Sequence, residues 1–147
     1  MGLPIQSAPT YTCVLPSNGT EVKFRPFLVK EQKVLILARE SEDTVQSLRA
    51  VKDLIHAVTY EKVNADELAM IDLEYLFLKV RSVSIGETIE LSLTCRDQEC
   101  NGTEKVLINL DEIEASGEQP TTNTVMINDT VGIEVRTPLV KDIKLTN

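Results

Sequence analysis

The sequence predicts an α+β fold with an N-terminal β-hairpin, about three helices and C-terminal antiparallel strands. Three patterns carry that expectation: extended runs either side of Ser17-Asn18-Gly19, apolar residues recurring at three and four between residues 29 and 82, and near-strict alternation from Glu87 to Cys95. With 147 residues, the chain has the length of a single domain that can bury a core without staples. Residues 1–147 are therefore read as one domain, with 1–10 extended and 115–123 a polar loop.

Each element has a local reason. Tyr11 to Pro16 and Thr20 to Arg25 flank a turn in which Asn18 and Gly19 tolerate positive φ, and Val22 and Phe24 alternate with Glu21, Lys23 and Arg25. After Pro26, a helix is expected from about Val29 to Glu40, although Val34 to Leu37 alone would also suit a buried strand. Asp43 is placed to cap a second helix whose Val45, Leu48, Val51 or Lys52, Ile55 and Val58 follow a period near 3.6. The run Asn64-Ala65-Asp66-Glu67 reads as the start of a third helix, with Leu68, Ile71, Tyr75, Leu78 and Ser82 as its main stripe. Met70, Leu73, Leu76, Phe77 and Val80 widen the apolar arc, and Lys79 and Arg81 lie near the helix's negative end.

Gly86 then marks a change of period. Ile89, Leu91, Leu93 and Cys95 share one face of a strand, residues 96–103 form a polar turn, and Val106, Ile108 and Leu110 return antiparallel. Short strands are expected at Val125 to Ile127 and Val131 to Arg136, closed by Pro138. The predicted core contains Leu35, Leu48, Ile55, Ile71, Tyr75 and Leu78.

Composition excludes several classes of function. A net charge of −8 opposes approach to phosphate backbones and anionic lipid, so neither nucleic acid nor membrane is expected as a partner. No apolar run nears the roughly 20 residues of a membrane span. Met1-Gly2-Leu3-Pro4-Ile5-Gln6 has neither a basic signal-peptide start nor the usual myristoylation pattern. The one locally basic stretch, Lys23 to Lys33, interleaves Lys23, Arg25, Lys30 and Lys33 with apolar residues and reads as a solvated face. Sequons at Asn18, Asn101 and Asn128 are short motifs frequent by chance, and two contain the turn pair Asn-Gly.

Few residues offer chemistry. Cys95 and Cys100 flank a hairpin turn as half of a zinc ribbon would, but a structural site needs four ligands, and only Cys13 and His56 remain. The residues favour a reduced, buried Cys95 and an exposed Cys100, with zinc as a minor alternative and no cofactor. His56 is the sole imidazole, and no nucleophile elbow, paired-histidine helix or phosphate loop accompanies it. Asp66, Glu67, Asp72 and Glu74 read as caps and polar helix faces, and Tyr75 with Phe77 as core. The expectation is a non-enzyme with no catalytic residues.

Three segments together carry a resemblance: Leu15 to Gly19, Phe24-Arg-Pro-Phe through Ser41, and Ile71-Asp-Leu-Glu-Tyr-Leu-Phe-Leu through Glu87. In order and spacing they are similar to the baseplate hub subunit family of T-even-like myophages. The Cys95–Cys100 turn and Val131-Gly-Ile-Glu-Val-Arg-Thr-Pro138 fit the later course of that family, whose members commonly continue with a further helical part. The resemblance implies a structural component of the phage tail hub, acting through contacts with other tail and baseplate proteins or further copies of itself. It implies residence in the virion baseplate, and in host cytoplasm during assembly. The alternatives are an assembly chaperone absent from the finished virion and a small zinc-binding interaction module. Leu73, Leu76 and Phe77, outside the main stripe of the third helix, are the candidate protein-binding surface together with Phe24, Arg25, Pro26 and Phe27.

Overall fold

The computed structural model describes residues 9–97, 100, 102–115 and 124–143. Most of the expected N-terminal extension, most of the 115–123 loop and part of the 96–103 turn lie outside the described residues. The chain runs β1 (Tyr11–Val14), β2 (Glu21–Phe24), α1 (Val29–Glu40), α2 (Thr44–Val58) and α3 (Met70–Ile85). It continues through β3 (Thr88–Thr94), β4 (Thr103–Asn109), β5 (Thr124–Met126) and β6 (Gly132–Glu134). Among the described residues, strands pair only with their sequence neighbours, giving three antiparallel two-stranded ribbons, β1–β2, β3–β4 and β5–β6. The α+β arrangement follows the sequence expectation.

The core lies where β1–β2, α2 and α3 meet. Cys13, Val22 and Phe24 from the first ribbon pack with Leu54, Ile55, Val58, Leu73, Leu76 and Val80. Alternation along β1 and β2 puts Cys13 opposite Val22 on the inner face. Gly19 takes φ +69°, the left-handed backbone this turn requires.

The helix termini are satisfied from nearby sequence. Asp43 Oδ1 accepts from Val45 N at 2.8 Å and Gln46 N at 3.3 Å, opening α2. Leu28 N donates to Glu31 Oε2 at 2.7 Å, so Glu31 reaches back to the start of α1.

The third helix departs from expectation. Asn64 does cap, its Oδ1 accepting from Asp66 N at 3.1 Å, but it caps a 3-10 turn over Ala65–Glu67. The backbone then extends through Leu68 and Ala69, and α3 starts at Met70. The cause is a long-range pairing: Ala69 bridges to Leu139, and Val140 N donates to Leu68 O at 2.9 Å. Satisfying those backbone groups against the returning chain replaces the helical bonds they would otherwise make.

The buried face of α3 also differs. Leu73 and Leu76 are 1% and 0% exposed and Val80 is buried, whereas Ile71 is 46% exposed and Tyr75 and Leu78 are half-buried. Leu35 and Leu48 pack on the core from its edge. Asp72, expected on the polar side, is buried and accepts from Ser17 N at 2.9 Å and from Ser17 Oγ, pinning the β1–β2 turn to α3. Those bonds make a buried carboxylate tolerable there.

Candidate protein-binding surface

The Phe24-Arg25-Pro26-Phe27 segment turns out to be built into the fold. Phe24 is core, stacked on Tyr11 with ring centroids 5.9 Å apart. Arg25 forms a two-pronged pair with Glu31, Nη1 to Oε2 at 3.0 Å and Nη2 to Oε1 at 2.9 Å. The same guanidinium donates to Pro26 O at 3.0 Å and Ala57 O at 3.3 Å, while Arg25 N donates to Val58 O at 3.0 Å. Its positive charge therefore sits at the carbonyl end of α2, where the helix dipole favours a cation. Hydrogen bonding to Arg25 holds the Glu31 carboxyl below its ordinary value, and the same bond raises Arg25. Arg25 is thus a staple joining β2, α1 and α2, which corrects its reading as a solvated charge; Lys23, Lys30 and Lys33 are exposed. Phe27 packs against the core, and its N–H donates to Ser84 Oγ at 3.0 Å.

The α3 candidates divide. Leu73 and Leu76 belong to the core, which removes Leu76 from any surface. Phe77 is half-buried and lines a groove of about 270 Å³ between α2 and α3, with Leu48, Val51, Met70 and the edge of Leu73, rimmed by Thr44, Ser47 and Glu74.

A larger uncovered surface lies on the later ribbons. The register Ile89↔Ile108, Leu91↔Val106, Leu93↔Glu104 gathers five apolar side chains on one face of β3–β4. Among the described residues the distal part stays open, with Leu91 and Leu93 38% and 53% exposed. On β5–β6 and its flanks Val125, Met126, Ile127, Val131, Ile133 and Val135 are all exposed. Periodicity had identified the strands, but alternation marks an apolar face without saying whether anything covers it.

The base of β3–β4 is held firmly to α3. Lys79 Nζ donates to Leu110 O, Asp111 O and Ile113 O at 3.4, 3.0 and 3.3 Å, and lies 5.3 Å from the centre of the Tyr75 ring. Ser82 Oγ donates to Asp111 Oδ1 at 2.5 Å. Lys79 thus serves the ribbon rather than the end of its own helix.

The remaining chemistry-bearing residues stay apart. His56 is exposed, with Nδ1 3.2 Å from Val63 O, and Asp66 pairs with Lys52 at 2.5 Å. Among the described residues no three or more His, Cys, Asp or Glu side chains cluster as metal ligands. Cys13 is the buried thiol, pushed up to about 11 mainly by loss of hydration, with Lys79 opposing and Asp72 adding. Cys95 and Cys100 are both exposed, correcting the expected burial of Cys95. No helix among the described residues is long and apolar enough to cross a membrane.

The fold combines a packed core, a stapled N-terminal motif and later ribbons that carry exposed apolar side chains. Residues 8–146 match the model of the family described as T4 bacteriophage base plate protein. The chain belongs to that family. As a T4-type base plate protein it is a structural protein of the phage tail baseplate, a setting that implies contact with other baseplate and tail proteins. Comparison with curated proteins and with solved structures gives no match.

Proposed function

We infer that this base plate protein is a non-enzymatic component of the baseplate hub that works by holding its neighbours. The observation supporting this is the exposed distal part of the apolar face of β3–β4, Leu91 and Leu93, beside a well-packed core. An isolated two-stranded ribbon is at best marginally stable in water, and contiguous exposed apolar surface is a common mark of a protein interface. β5–β6 offers a second such surface, and Phe77 supplies an aromatic edge in the α2–α3 groove. Host cytoplasm is the site of assembly in this reading, and the virion hub the final location.

Mass spectrometry of finished particles and of assembly intermediates tests the assignment. A hub component is found in both, in constant ratio to other baseplate proteins. Presence in intermediates alone would make the chain an assembly chaperone and overturn the hub role. Leu91→Ser with Leu93→Ser should leave the isolated protein folded and reduce its incorporation.

A further inference from the structure

The tip of β3–β4 carries a feature that hub membership does not explain. Beyond the last paired residues, Thr94 and Thr103, Cys95 N donates to Gly102 O at 2.8 Å, so Cys95 and Gly102 extend the ladder by one step. By strand alternation both belong to the face of Leu91 and Leu93. A methyl group built on Gly102 would lie 3.1 Å from Cys100 Sγ, so the Cys100 thiol occupies the space that a side chain at 102 would fill. Opposed Cβ positions in a ladder lie about 4.5–5.5 Å apart, so the Cys100 sulfur lies over Gly102, the position across the ladder from Cys95. Both cysteines line one open cavity with Leu93 and Gly102, and both are exposed.

Two adjacent thiols are ligands for a soft divalent cation such as Zn²⁺, and the spacing Cys-x₄-Cys is within the range of zinc ligands on a turn. A structural zinc site takes four ligands, and among the described residues no third candidate lies close enough to join these two. We propose that Cys95 and Cys100 form half of a four-thiolate zinc site, completed by the same pair from a second copy of this chain. The strip of exposed Leu91 and Leu93, with half-buried Val106 and exposed Glu104 across the ladder, leads up to the thiols on their own face. A two-fold axis running along the ribbon lays one strip on the other and brings the four sulfurs together at the tip, an isologous contact. Each thiol releases its proton to solvent as its sulfur donates an electron pair to the metal, so binding weakens as pH falls.

The full chain, reduced and freed of metal, is titrated with Zn²⁺, and with Co²⁺ as a spectroscopic probe, while native mass spectrometry follows its mass. The expected result is one ion per two chains, a tetrahedral thiolate spectrum with Co²⁺, and a dimer that dissociates when a chelator is added. Cys95→Ser and Cys100→Ser should each abolish this uptake with no change in the melting of the core. Gly102→Ala, at a position with no positive φ, should weaken uptake by displacing the Cys100 sulfur. Three results would overturn the proposal: no uptake beyond that of a Cys95→Ser/Cys100→Ser variant, one ion held by a single chain, or a Cys95–Cys100 disulfide that persists in reducing buffer.

Discussion

β1–β2 and β3–β4 are both antiparallel ribbons with apolar residues on one face, but the first buries that face and the second leaves Leu91 and Leu93 exposed. Cys13, Val22 and Phe24 are buried beneath α2 and α3, and the turn beyond them is pinned by Asp72. β3–β4 is longer and at least as apolar, and its base is fastened to α3 through Lys79 and Ser82. Burial here is a property of what the rest of the chain places over a strand, not of the strand's own pattern. The first ribbon belongs to the core of the domain, and the second keeps Leu91 and Leu93 at the surface.

Thiol chemistry should separate the two ribbons most widely. Burial pushes Cys13 up to about 11, leaving on the order of a hundredfold less thiolate than an ordinary thiol at neutral pH. A maleimide or iodoacetamide should modify Cys95 and Cys100 quickly and Cys13 only on unfolding. Rapid modification of all three in folded protein would mean that the first ribbon is not closed.

Packing gives the next largest contrast. Leu76→Ala, at a fully buried position, should cost about 3–4 kcal/mol in urea unfolding, the transfer loss plus a cavity. Asp72→Ala leaves the Ser17 donors without their acceptor and should cost about 2–3 kcal/mol. A loss below about 1 kcal/mol would show that the turn is not held by this bond.

Arg25→Met should cost about 2 kcal/mol, because it leaves the mostly buried Glu31 carboxylate with the Leu28 N–H but without its cationic partner. This pair also has a pH signature. Glu31 is held below its ordinary value in the folded state, so its contribution is complete above the unfolded carboxyl value, roughly 4.3. That contribution is lost as pH falls through the folded value. The acid limb of the stability curve should flatten in the Met variant. An unchanged slope would assign acid sensitivity to other groups.

Leu93→Ser should have the smallest effect on the isolated chain, about 0.5 kcal/mol or less, because its side chain has little to lose there. A penalty as large as that of Leu76→Ala would mean that the β3–β4 face is covered after all.

Much of this was legible in the sequence, and the exceptions share a cause. The N-terminal hairpin, α1, α2 with its Asp43 cap, and the β3–β4 pair follow from turn chemistry and periodicity, which are local. The start of α3 was misplaced because Leu68 and Ala69 pair with Leu139 and Val140, some 70 residues on, beyond the reach of a local window. Its buried face was misjudged because apolar residues surround α3, so the period does not choose between Leu73, Leu76 and Val80 and the stripe through Ile71 and Leu78. Arg25 read as a surface charge because its partners, Glu31 and the Ala57 carbonyl, meet only in the folded chain. In the two cysteines the motif was visible, but their shared face emerged only with the ladder register and the space at Gly102.

The attachment of β3–β4 also has a mechanical consequence. Seven residues per strand at about 3.4 Å each make an arm about 24 Å long. A load applied at the tip acts through that length on the three carbonyl contacts of Lys79 and the Ser82–Asp111 bond. The ribbon is then a lever whose fulcrum is the C-terminal half of α3, where Lys79 and Ser82 hold it.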